Sequence, residues 1–399
     1  MVPFNPNSWQ QLLAYMDAKN HKRPKSRETN EEGDEKDTTN KKELVRLAHR
    51  TGDNFYLKVI EYRELSKMRG TYIEGFKPHA DGRAHPTFTF DTGTGQLSSR
   101  NPNAQNIPEH TRLAKAIKRM FAAPDGYVLT KWDYKAFHVL TTGFCAEDAA
   151  YMRMARLDMH SFVAGCFLKT WEPQIMEESD ESLTNRFEWF KSDPNRKRVR
   201  DKQAKPTILG VGFGMGGRRL YQENLEHFQT ERTAKSFLDL LTRLFPKVFA
   251  WQTRVRQQAH EQTYLRSPFG HIRRFYEVFV WDYKKSAYKN GDQAEEAVAF
   301  LPANMAFGVM RSKKRDFARL GLDSKYGLIN EVHDAWWWCF PREMLDEHVA
   351  EMRPVIEAPE PTLRHPTLAP DGLWCATECK YGPNLAEMEE VIYEATPVS

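Results

Sequence analysis

Two aspartates at the ends or turns of apolar strands have the residue type and setting for chemistry. Asp133 follows the strand-like run Tyr127–Trp132, and Asp334 interrupts the aromatic run Leu328–Phe340. A carboxylate among residues that should be buried is costly unless it is paired, hydrogen-bonded or bound to a metal. Either aspartate alone is also consistent with a turn or cap residue. Together they match a two-metal phosphoryl-transfer site, and magnesium favours such oxygen ligands.

A cationic helix face lies between the two aspartates in the sequence. Lys205, Leu209 and Phe213 recur every four residues, so they share one face of a predicted helix. The lysine suits a triphosphate, and the aromatic ring suits the base or the sugar of a nucleotide. An amphipathic core helix with a surface lysine is the alternative. His160 lies on an earlier helical stretch, where a histidine taken alone is more often structural.

The elements that must position these residues follow an α+β order. Helical spacing is predicted over residues 1–20, with Trp9, Leu12, Leu13 and Met16 on one face. The polar stretch 21–42 predicts a mobile linker or loop tip. The remaining predictions are helices over 43–75, strands and turns over 84–108, mainly helices over 135–262 with an inserted surface loop at 171–197, a hairpin over 263–276, and a helix over 292–320. This order predicts one sheet assembled from distant segments.

The bulk composition predicts a soluble globular protein. The 399 residues predict two or three lobes, and 40% hydrophobic and 28% charged residues predict a real core. A net charge of +4 does not by itself identify a nucleic-acid binder, because clustering matters more than the sum. The apolar runs are too short to cross a bilayer, and the first residues lack the charged-then-apolar pattern of a secretory signal, so no such signal is expected. Five scattered cysteines predict reduced thiols in a cytoplasm.

Several segments resemble those of family A (DNA polymerase I-like) DNA polymerases, and they occur in the same order. Thr94–Pro108 resembles the segment of these enzymes that touches the primer–template. Asp133–His138 resembles motif A, usually Asp-Tyr-Ser-Gln-Ile-Glu. Lys205–Gly214 resembles motif B, usually Arg-x3-Lys-x7-Tyr-Gly, and Val332–Ala335 resembles motif C, usually Val-His-Asp-Glu.

The resemblance implies an α+β right-hand polymerase fold. It implies a shortened thumb at residues 1–82, a palm with an antiparallel sheet from 83–150 and 300–399, and helical fingers from 151–299. The implied function is template-directed DNA synthesis by a two-metal mechanism, from dNTP to a primer 3′-hydroxyl, with no proofreading domain in this chain. A single-subunit RNA polymerase and a non-catalytic nucleic-acid-binding replisome subunit are the alternatives.

The site residues implied by the resemblance fall into three groups. Asp133, Asp334 and the backbone carbonyl of Tyr134 would bind two Mg²⁺ ions, with Mn²⁺ as a substitute, and the catalytic set is Asp133, Asp334 and Lys205. The expected dNTP contacts are His160, Lys205, Leu209, Phe213, His138, Lys202, Arg198 and Arg200. The expected DNA contacts are Arg63, Lys67, Gln96, Asn103, Gln105, Asn106, Asn304 and His333.

Three departures from the family pattern bear on these roles. Asp201 stands four residues before Lys205, where motif B usually has arginine. Lys202 and Arg198 lie on the helical face of Lys205 and are favoured as substitutes, with Arg200 as a third candidate. His138 replaces the motif A glutamate that guards against ribose, which puts the details of sugar discrimination in doubt. Ala335 replaces the motif C glutamate, an auxiliary carboxylate.

The expected partners are primer–template DNA, dNTPs, and a separately encoded exonuclease or processivity factor. No membrane partner is expected. The lean architecture and unusual motifs predict a phage-type replicase acting in the cytoplasm of a bacterial or phage-infected cell.

Overall fold

The computed structural model describes residues 3–29, 35–108, 113–224, 227–283 and 285–392. The chain divides into two compact units. The N-terminal unit comprises Met1–Thr87 with Arg100–Asn103, and the larger unit comprises Phe88–Ser99 with Ala104–Ser399.

Helices are the main regular structure of both units. The α-helices are α1 (Trp9–Ala18), α2 (Lys41–Thr51), α3 (Phe55–Met68), α4 (Ala114–Arg119), α5 (Phe137–Cys145), α6 (Ala149–Leu157), α7 (Met159–Phe167), α8 (Asp180–Ser192), α9 (Pro194–Val199), α10 (Lys205–Gly212), α11 (Gly217–Glu223), α12 (Glu231–Leu244), α13 (Pro246–Gln262), α14 (Ala294–Leu320), α15 (Leu322–Tyr326) and α16 (Leu345–Glu357). Short π-helices occupy Arg69–Ile73 and Arg200–Ala204, and short 3-10 helices occupy Pro173–Glu177, Arg342–Met344 and Pro361–Leu363. No helix among the described residues combines the length and the apolarity needed to cross a bilayer.

Within the residues that the structure describes, the strands form one larger sheet and four two-stranded pairs. The strands are β1 (Lys25–Thr29), β2 (Glu35–Asp37), β3 (Thr87–Thr89), β4 (Ser98–Arg100), β5 (Tyr127–Tyr134), β6 (Tyr264–Arg266), β7 (Ile272–Arg274), β8 (Phe279–Asp282), β9 (Ala287–Asn290), β10 (Leu328–Val332), β11 (Ala335–Pro341), β12 (Thr377–Gly382) and β13 (Glu389–Glu390). The larger sheet has the order β10-β11-β5-β12-β13 with antiparallel pairing throughout. The α+β class and the sheet assembled from distant segments are confirmed.

The N-terminal unit has a hydrophobic core of its own. Leu12, Leu13 and Met16 of α1 are buried with apolar residues of α2 and α3, as the helical spacing predicts. Trp9 was predicted on the same face, but its side chain is 54% exposed, so that part of the prediction was wrong. Trp9 is the first residue of the helix, one turn before the buried positions begin.

The polar stretch 21–42 contains regular structure, contrary to the prediction of a mobile linker or loop tip. Strands β1 and β2 pair antiparallel, with Lys25 opposite Asp37, and the two side chains form an ion pair at 2.7 Å. Arg23 joins Asp37 at 2.8 Å. The strand pair β1–β2 is therefore accompanied by ion pairs, in a stretch that has few apolar side chains to bury. Residues 30–34 of this stretch lie outside the described residues.

The stretch 171–197 was predicted to be an inserted surface loop, and this was wrong. Helix α8 runs through it and buries Leu183, Phe187 and Phe190 at helical spacing. The ring of Trp171 packs against Phe187 and Phe190, with centroid distances of 5.7 and 5.0 Å. Some of the acidic residues that suggested a loop lie in the first turn of α8. Negative charge at that position stabilises a helix through its interaction with the helix dipole.

The two faces of the larger sheet have different environments. Trp132 on β5 lies opposite Trp336 on β11, and both are fully buried. Phe317 of α14 packs edge-on against Trp336 at 5.2 Å, and Trp132 Nε1 donates a hydrogen bond to His348 Nε2 of α16 at 2.9 Å. Because side chains alternate along a strand, Asp133 points to the opposite face. The sheet thus separates the packed core from the carboxylate.

Candidate active site

The sheet brings Asp133 and Asp334 together. Val332 and Ala335 are partners in the β10–β11 register, so His333 and Asp334 form a two-residue turn between the strands. Ala335 in turn lies opposite Asp133 on the central strand β5. The Tyr134 backbone N–H donates to the Asp334 carbonyl at 3.3 Å. Two carboxylates that are distant in sequence therefore occupy adjacent positions at one end of the sheet.

The backbone on both sides of this carboxylate pair adopts a costly conformation. His333, in the turn, has φ +56°, and Ala136, just after β5, has φ +50°. Left-handed backbone at a residue other than glycine costs roughly 1–3 kcal/mol and is concentrated at functional sites. The surrounding sheet must hold this geometry in place.

Like charges meet at the pair without full compensation. Burial, and then the charge of Asp133, raise the pKa of Asp334 to about 7, although Lys131 and Lys205 act in the opposite direction. Lys131 Nζ lies 2.8 Å from Asp133 Oδ2. Within the described part of the chain, no group of three His, Cys, Asp or Glu residues could hold a metal ion. A cation bound by the two aspartates would need further oxygens from backbone, water or substrate, as magnesium usually has.

Lys205 and His160 lie near each other beside the carboxylate pair. Burial lowers the pKa of His160 to about 4; the Asp158 charge opposes this, and the Arg200 and Lys205 charges add to it. Lys205 thus acts on both Asp334 and His160. The His160 Nε2 atom is buried and has no hydrogen-bond partner among the residues that the structure describes. A neutral imidazole can donate one N–H to an anion when Nε2 carries the proton, and Arg200 and Lys205 add positive charge here against the negative charge of Asp158.

Arg200 is fixed in this group by the first turn of α7. Asp158 caps that helix by accepting the Ser161 backbone N–H, and its carboxylate lies 3.0 Å from Arg200 Nη2. Arg200 Nε also donates to Ser161 Oγ at 3.0 Å. Burial would raise the pKa of Asp158, but the Arg200 charge and the Ser161 hydrogen bonds outweigh it and lower that pKa. Asp158 therefore stays ionised and orients the guanidinium next to His160.

A π-helical turn changes which basic residue accompanies Lys205. The Lys205 N–H donates to the carbonyl of Arg200, five residues earlier, instead of the four of an α-helix. The α-helical spacing on which the preference for Lys202 and Arg198 rested is therefore interrupted. Both side chains are exposed, and the ion pairs found among the described residues do not include them. Of the three candidates, the guanidinium of Arg200 is the one that acts on His160.

His138, Phe213 and His333 form a second cluster at the site. The ring of His138 meets that of Phe213 edge-on, with centroids 5.6 Å apart. Burial, and then the charge of His333, lower the pKa of His138 to about 4. Leu209 lies half-buried one turn before Phe213 on α10. The residue at the position of the motif A glutamate is therefore a half-buried ring that is neutral near pH 7.

Two of the predicted DNA contacts in the larger unit have their donors engaged within the protein. The Asn304 side chain is 2% exposed, and its amide nitrogen bonds to the Thr94 carbonyl at 2.7 Å and to His271 Nδ1 at 2.8 Å. Gln105 is 8% exposed and donates to the Glu331 carbonyl at 2.8 Å. These residues hold their segments in place, so direct contact with DNA is no longer expected of them.

Arg63, in the N-terminal unit, was also predicted to contact DNA. Its guanidinium donates to the Pro6 and Thr39 carbonyls at 2.7 and 2.6 Å, and burial lowers its pKa. Its donors are therefore engaged within that unit, and the phosphate contact predicted for Arg63 stays a prediction. The other predicted contacts remain accessible to different degrees: Lys67, Asn106 and His333 are exposed, and Gln96 and Asn103 are half-buried.

Sequence reasoning missed three residues of the site. Lys131 lies two residues before Asp133, and strand alternation could have placed both on one face. Asp158, two residues before His160, has the residue type and position of a helix N-cap. No local signal marks His271, because its contact with Asn304 depends on packing of the β6–β7 hairpin against α14.

The comparisons with known proteins identify the family of the chain. Residues 2–367 match the model of DNA polymerase family A. The chain is 29% identical over 310 residues to a thermostable DNA polymerase I of Thermus filiformis, covering 75% of this chain and 33% of that protein. It is 28% identical over 282 residues to DNA polymerase I of Treponema pallidum, covering 69% and 26%. The chain therefore spans between about a quarter and a third of the length of these relatives.

A solved structure has a similar fold. The POL domain of Pol1 from M. smegmatis, in complex with DNA primer-template and dNTP, superposes with a TM-score of 0.73 at 21% identity. The superposition covers 96% of this chain and 61% of that chain. The right-hand polymerase fold predicted for this sequence is thereby confirmed.

Proposed function

Because the chain belongs to DNA polymerase family A, we propose that it catalyses template-directed DNA synthesis. In this proposal a deoxynucleotidyl group passes from a dNTP to the 3′-hydroxyl of a primer. The observation that carries it is the adjacency of Asp133 and Asp334, next to the positive charge of Lys205. Such a reaction depends mainly on positioning and on stabilising charge as it develops on phosphate oxygens.

Family A DNA polymerases use divalent metal ions, and the carboxylate pair fits such ions. Burial, and then the nearby charge of Asp133, raises the pKa of Asp334, and a bound divalent cation would offset the cost of both. Asp133, Asp334 and the Tyr134 carbonyl would hold two Mg²⁺ ions, with Mn²⁺ as a substitute. When bound, the ions favour ionisation of the primer hydroxyl and neutralise the leaving oxygens.

The triphosphate would bind to a cationic group made of Lys205, His160 and Arg200. Lys205 supplies an exposed ammonium next to Asp334, and His160 supplies an imidazole nitrogen that has no protein partner. Asp158 and Asp201 hold the Arg200 guanidinium beside His160 through ion pairs, so Arg200 would contribute its positive charge to this group, although its donors are shared with the two carboxylates. Phe213 and Leu209 would face the base or sugar, and His138 would exclude a 2′-hydroxyl by its bulk.

Primer–template DNA would contact the accessible members of the predicted set. Gln96, Asn103 and Asn106 have the donors for the minor-groove acceptors common to all base pairs. Lys67 would bind phosphate, and His333 would lie near the primer terminus. Asn304 and Gln105 would affect DNA binding indirectly. Their hydrogen bonds hold the Thr94–Gln96 turn and the segment after Asn103 in position.

The same proposal extends to domains and cellular setting. Residues 1–82 would act as the thumb, 83–150 and 300–399 as the palm, and 151–299 as the fingers. A phage-type replicase working with a separate exonuclease or processivity factor, in the cytoplasm of a bacterial or phage-infected cell, fits these assignments.

Primer extension tests the proposal. Asp133→Asn and Asp334→Asn, assayed with Mg²⁺, are expected to lose extension by several orders of magnitude, because each removes charge that offsets the metal ions. Asp125→Asn, at an exposed loop carboxylate, is the matched control and should extend normally. Near-normal extension by Asp334→Asn would contradict the catalytic role.

The alternative activities give different outcomes in the same assay. A single-subunit RNA polymerase would incorporate rNTPs in preference to dNTPs. A non-catalytic DNA-binding protein would show no extension at all, and its binding to primer–template would be indifferent to dNTP.

A further inference from the structure

The hairpin of β8 and β9 carries a cluster of exposed aromatic side chains. Tyr283 is 87% exposed, Tyr288 65% and Trp281 44%. The two strands pair only with each other within the described part of the chain. Clustered exposed aromatics are uncommon on a protein surface unless they meet a partner. The hairpin lies outside the segments assigned to the active site.

The rings of Trp281 and Tyr288 are held in place before any partner arrives. Trp281 and Tyr288 are register partners, so they share one face of the hairpin, and their centroids are 5.1 Å apart at 80°. His260 of α13 packs edge-on against Tyr288 at 6.1 Å and against Phe279 at 5.3 Å. A rigid helix therefore supports the aromatic face, which lowers the entropic cost of binding.

The charge around the hairpin favours a polyanionic partner. Residues 254–290 contain eight Lys and Arg against three Asp and Glu, a balance of +5, whereas the whole chain has +4. Part of this charge is paired, Arg273 with Glu296 and Lys289 with Asp282, and the segment that carries the exposed rings is still net positive. Arg274, Lys285 and Lys289 are exposed cations of this segment. Aromatic rings interleaved with cations are the usual surface for unpaired nucleic acid.

The hairpin is continuous with the proposed DNA contacts. His271, between β6 and β7, bonds to Asn304, and Asn304 bonds to the carbonyl of Thr94. A β-carbon at Gly93 would meet the Arg273 guanidinium at 2.9 Å, so this arginine crosses the same backbone turn. The chain runs from β7 to β8 through four residues. DNA bound at Gln96 therefore lies on a surface that leads to the aromatic hairpin.

We propose that the β8–β9 hairpin binds single-stranded DNA by stacking unpaired bases on Trp281, Tyr283 and Tyr288. Bases in a duplex are stacked on one another, whereas an unpaired strand exposes its base faces to aromatic side chains. One part of the proposal rests on the proposed function: that the bound strand is the template ahead of the primer terminus. The stacking itself is independent of catalysis.

Fluorescence anisotropy of the full chain tests the proposal. The probes are a labelled oligothymidylate, a blunt primer–template duplex, and the same duplex with a long 5′ template overhang. Stacking is worth about 1–3 kcal/mol per base, so Tyr283→Ala with Tyr288→Ala should weaken binding to the oligothymidylate and the overhang roughly 5- to 100-fold. Binding to the blunt duplex should change less than about twofold. Tyr283→Ala alone, at the most exposed ring, should show part of the loss without risk to folding.

The control is Trp189→Ala on α8, which removes a ring of similar exposure, 53%, outside the hairpin. Unchanged affinity of the double variant for the oligothymidylate would overturn the proposal, and so would an equal loss for all three probes. If the wild type fails to extend primers but loses single-strand affinity on Tyr283→Ala, the hairpin proposal stands and the polymerase function fails. If extension is normal and no variant affects single-strand binding, only the hairpin proposal fails.

Discussion

At the scale of single residues, the active site contains a carboxylate, Asp334, whose ionised form is destabilised in the folded protein. The sheet register places Asp133 next to the turn that contains Asp334, and burial, followed by the charge of Asp133, raises the pKa of Asp334 to about 7. A carboxyl with a raised pKa opposes folding whenever it is ionised, because the unfolded chain ionises it at no such cost. Function at this site is therefore expected to come at the expense of stability.

Asp334→Asn should make the metal-free protein more stable while abolishing extension. The folded pKa is raised, so the unfavourable charge is fully present above about pH 7 and disappears as Asp334 protonates at lower pH. Allowing for solvent screening, the gain at pH 8 should be roughly 1–2 kcal/mol. Thermal unfolding in a chelator, at pH 8 and pH 5, measures it. A stabilisation of equal size at both pH values would contradict the charge explanation.

Secondary-structure elements decide which side chains meet, and the π-helical turn before α10 is the clearest case. The turn spaces Arg200 and Lys205 by five residues while joining them through one backbone hydrogen bond. The carboxylate of Asp158, the N-cap residue of α7, then forms an ion pair with the Arg200 guanidinium. Helix α10 and the N-terminus of α7 together build the cationic group around His160.

Arg200→Ala should raise the KM for dNTP more than Lys202→Ala or Arg198→Ala does. A charged hydrogen bond is worth about 1.5–3 kcal/mol, so the expected rise is roughly 10- to 100-fold. The two exposed residues serve as matched controls and should change KM less than about threefold. Steady-state extension with dNTP, and inhibition by dNDP, measure the effect. Arg200→Lys should recover part of the affinity, since it keeps the charge. A larger effect at Lys202 would assign the role to that residue.

The elements also show how far the sequence could predict this site. The alternating strand pattern and the turn between β10 and β11 can be recognised in the sequence of Leu328–Phe340. The meeting of Asp133 and Asp334 was therefore predictable. The π-turn was not, because helix periodicity assumes four-residue hydrogen bonding and Asp201 carries no local sign of the change. The buried amide of Asn304 and the paired guanidinium of Arg63 depend on residues distant in sequence. Residue type suggests a DNA contact at such positions, and only packing shows that the donors are already used.

At the scale of the whole molecule, several buried histidines make the larger unit sensitive to acid. Burial lowers the pKa of His348 to about 3, and burial is also the main cause of values of about 4 at His138 and His160. All three lie in the larger unit, two at the active site and one behind the sheet. Protonation of Asp334 raises the stability of the folded unit as the pH falls from about 7 to about 4. This one group opposes the effect of three histidines.

Acidification should therefore destabilise the larger unit well above the pH at which most carboxylates protonate. A folded pKa below the unfolded value of about 6.5 means that the unfolded chain takes up the proton first, so stability falls as pH drops from about 6.5 towards 4. Each such histidine costs up to about 1.4 kcal/mol per pH unit. Urea unfolding followed by tryptophan fluorescence reports on this unit, because Trp132 and Trp338 pack against His348. His160→Gln should flatten the fall by about one proton, while His49→Gln, at an exposed ring of the N-terminal unit, should not. An unchanged slope in His160→Gln would show that this imidazole is not held neutral by burial.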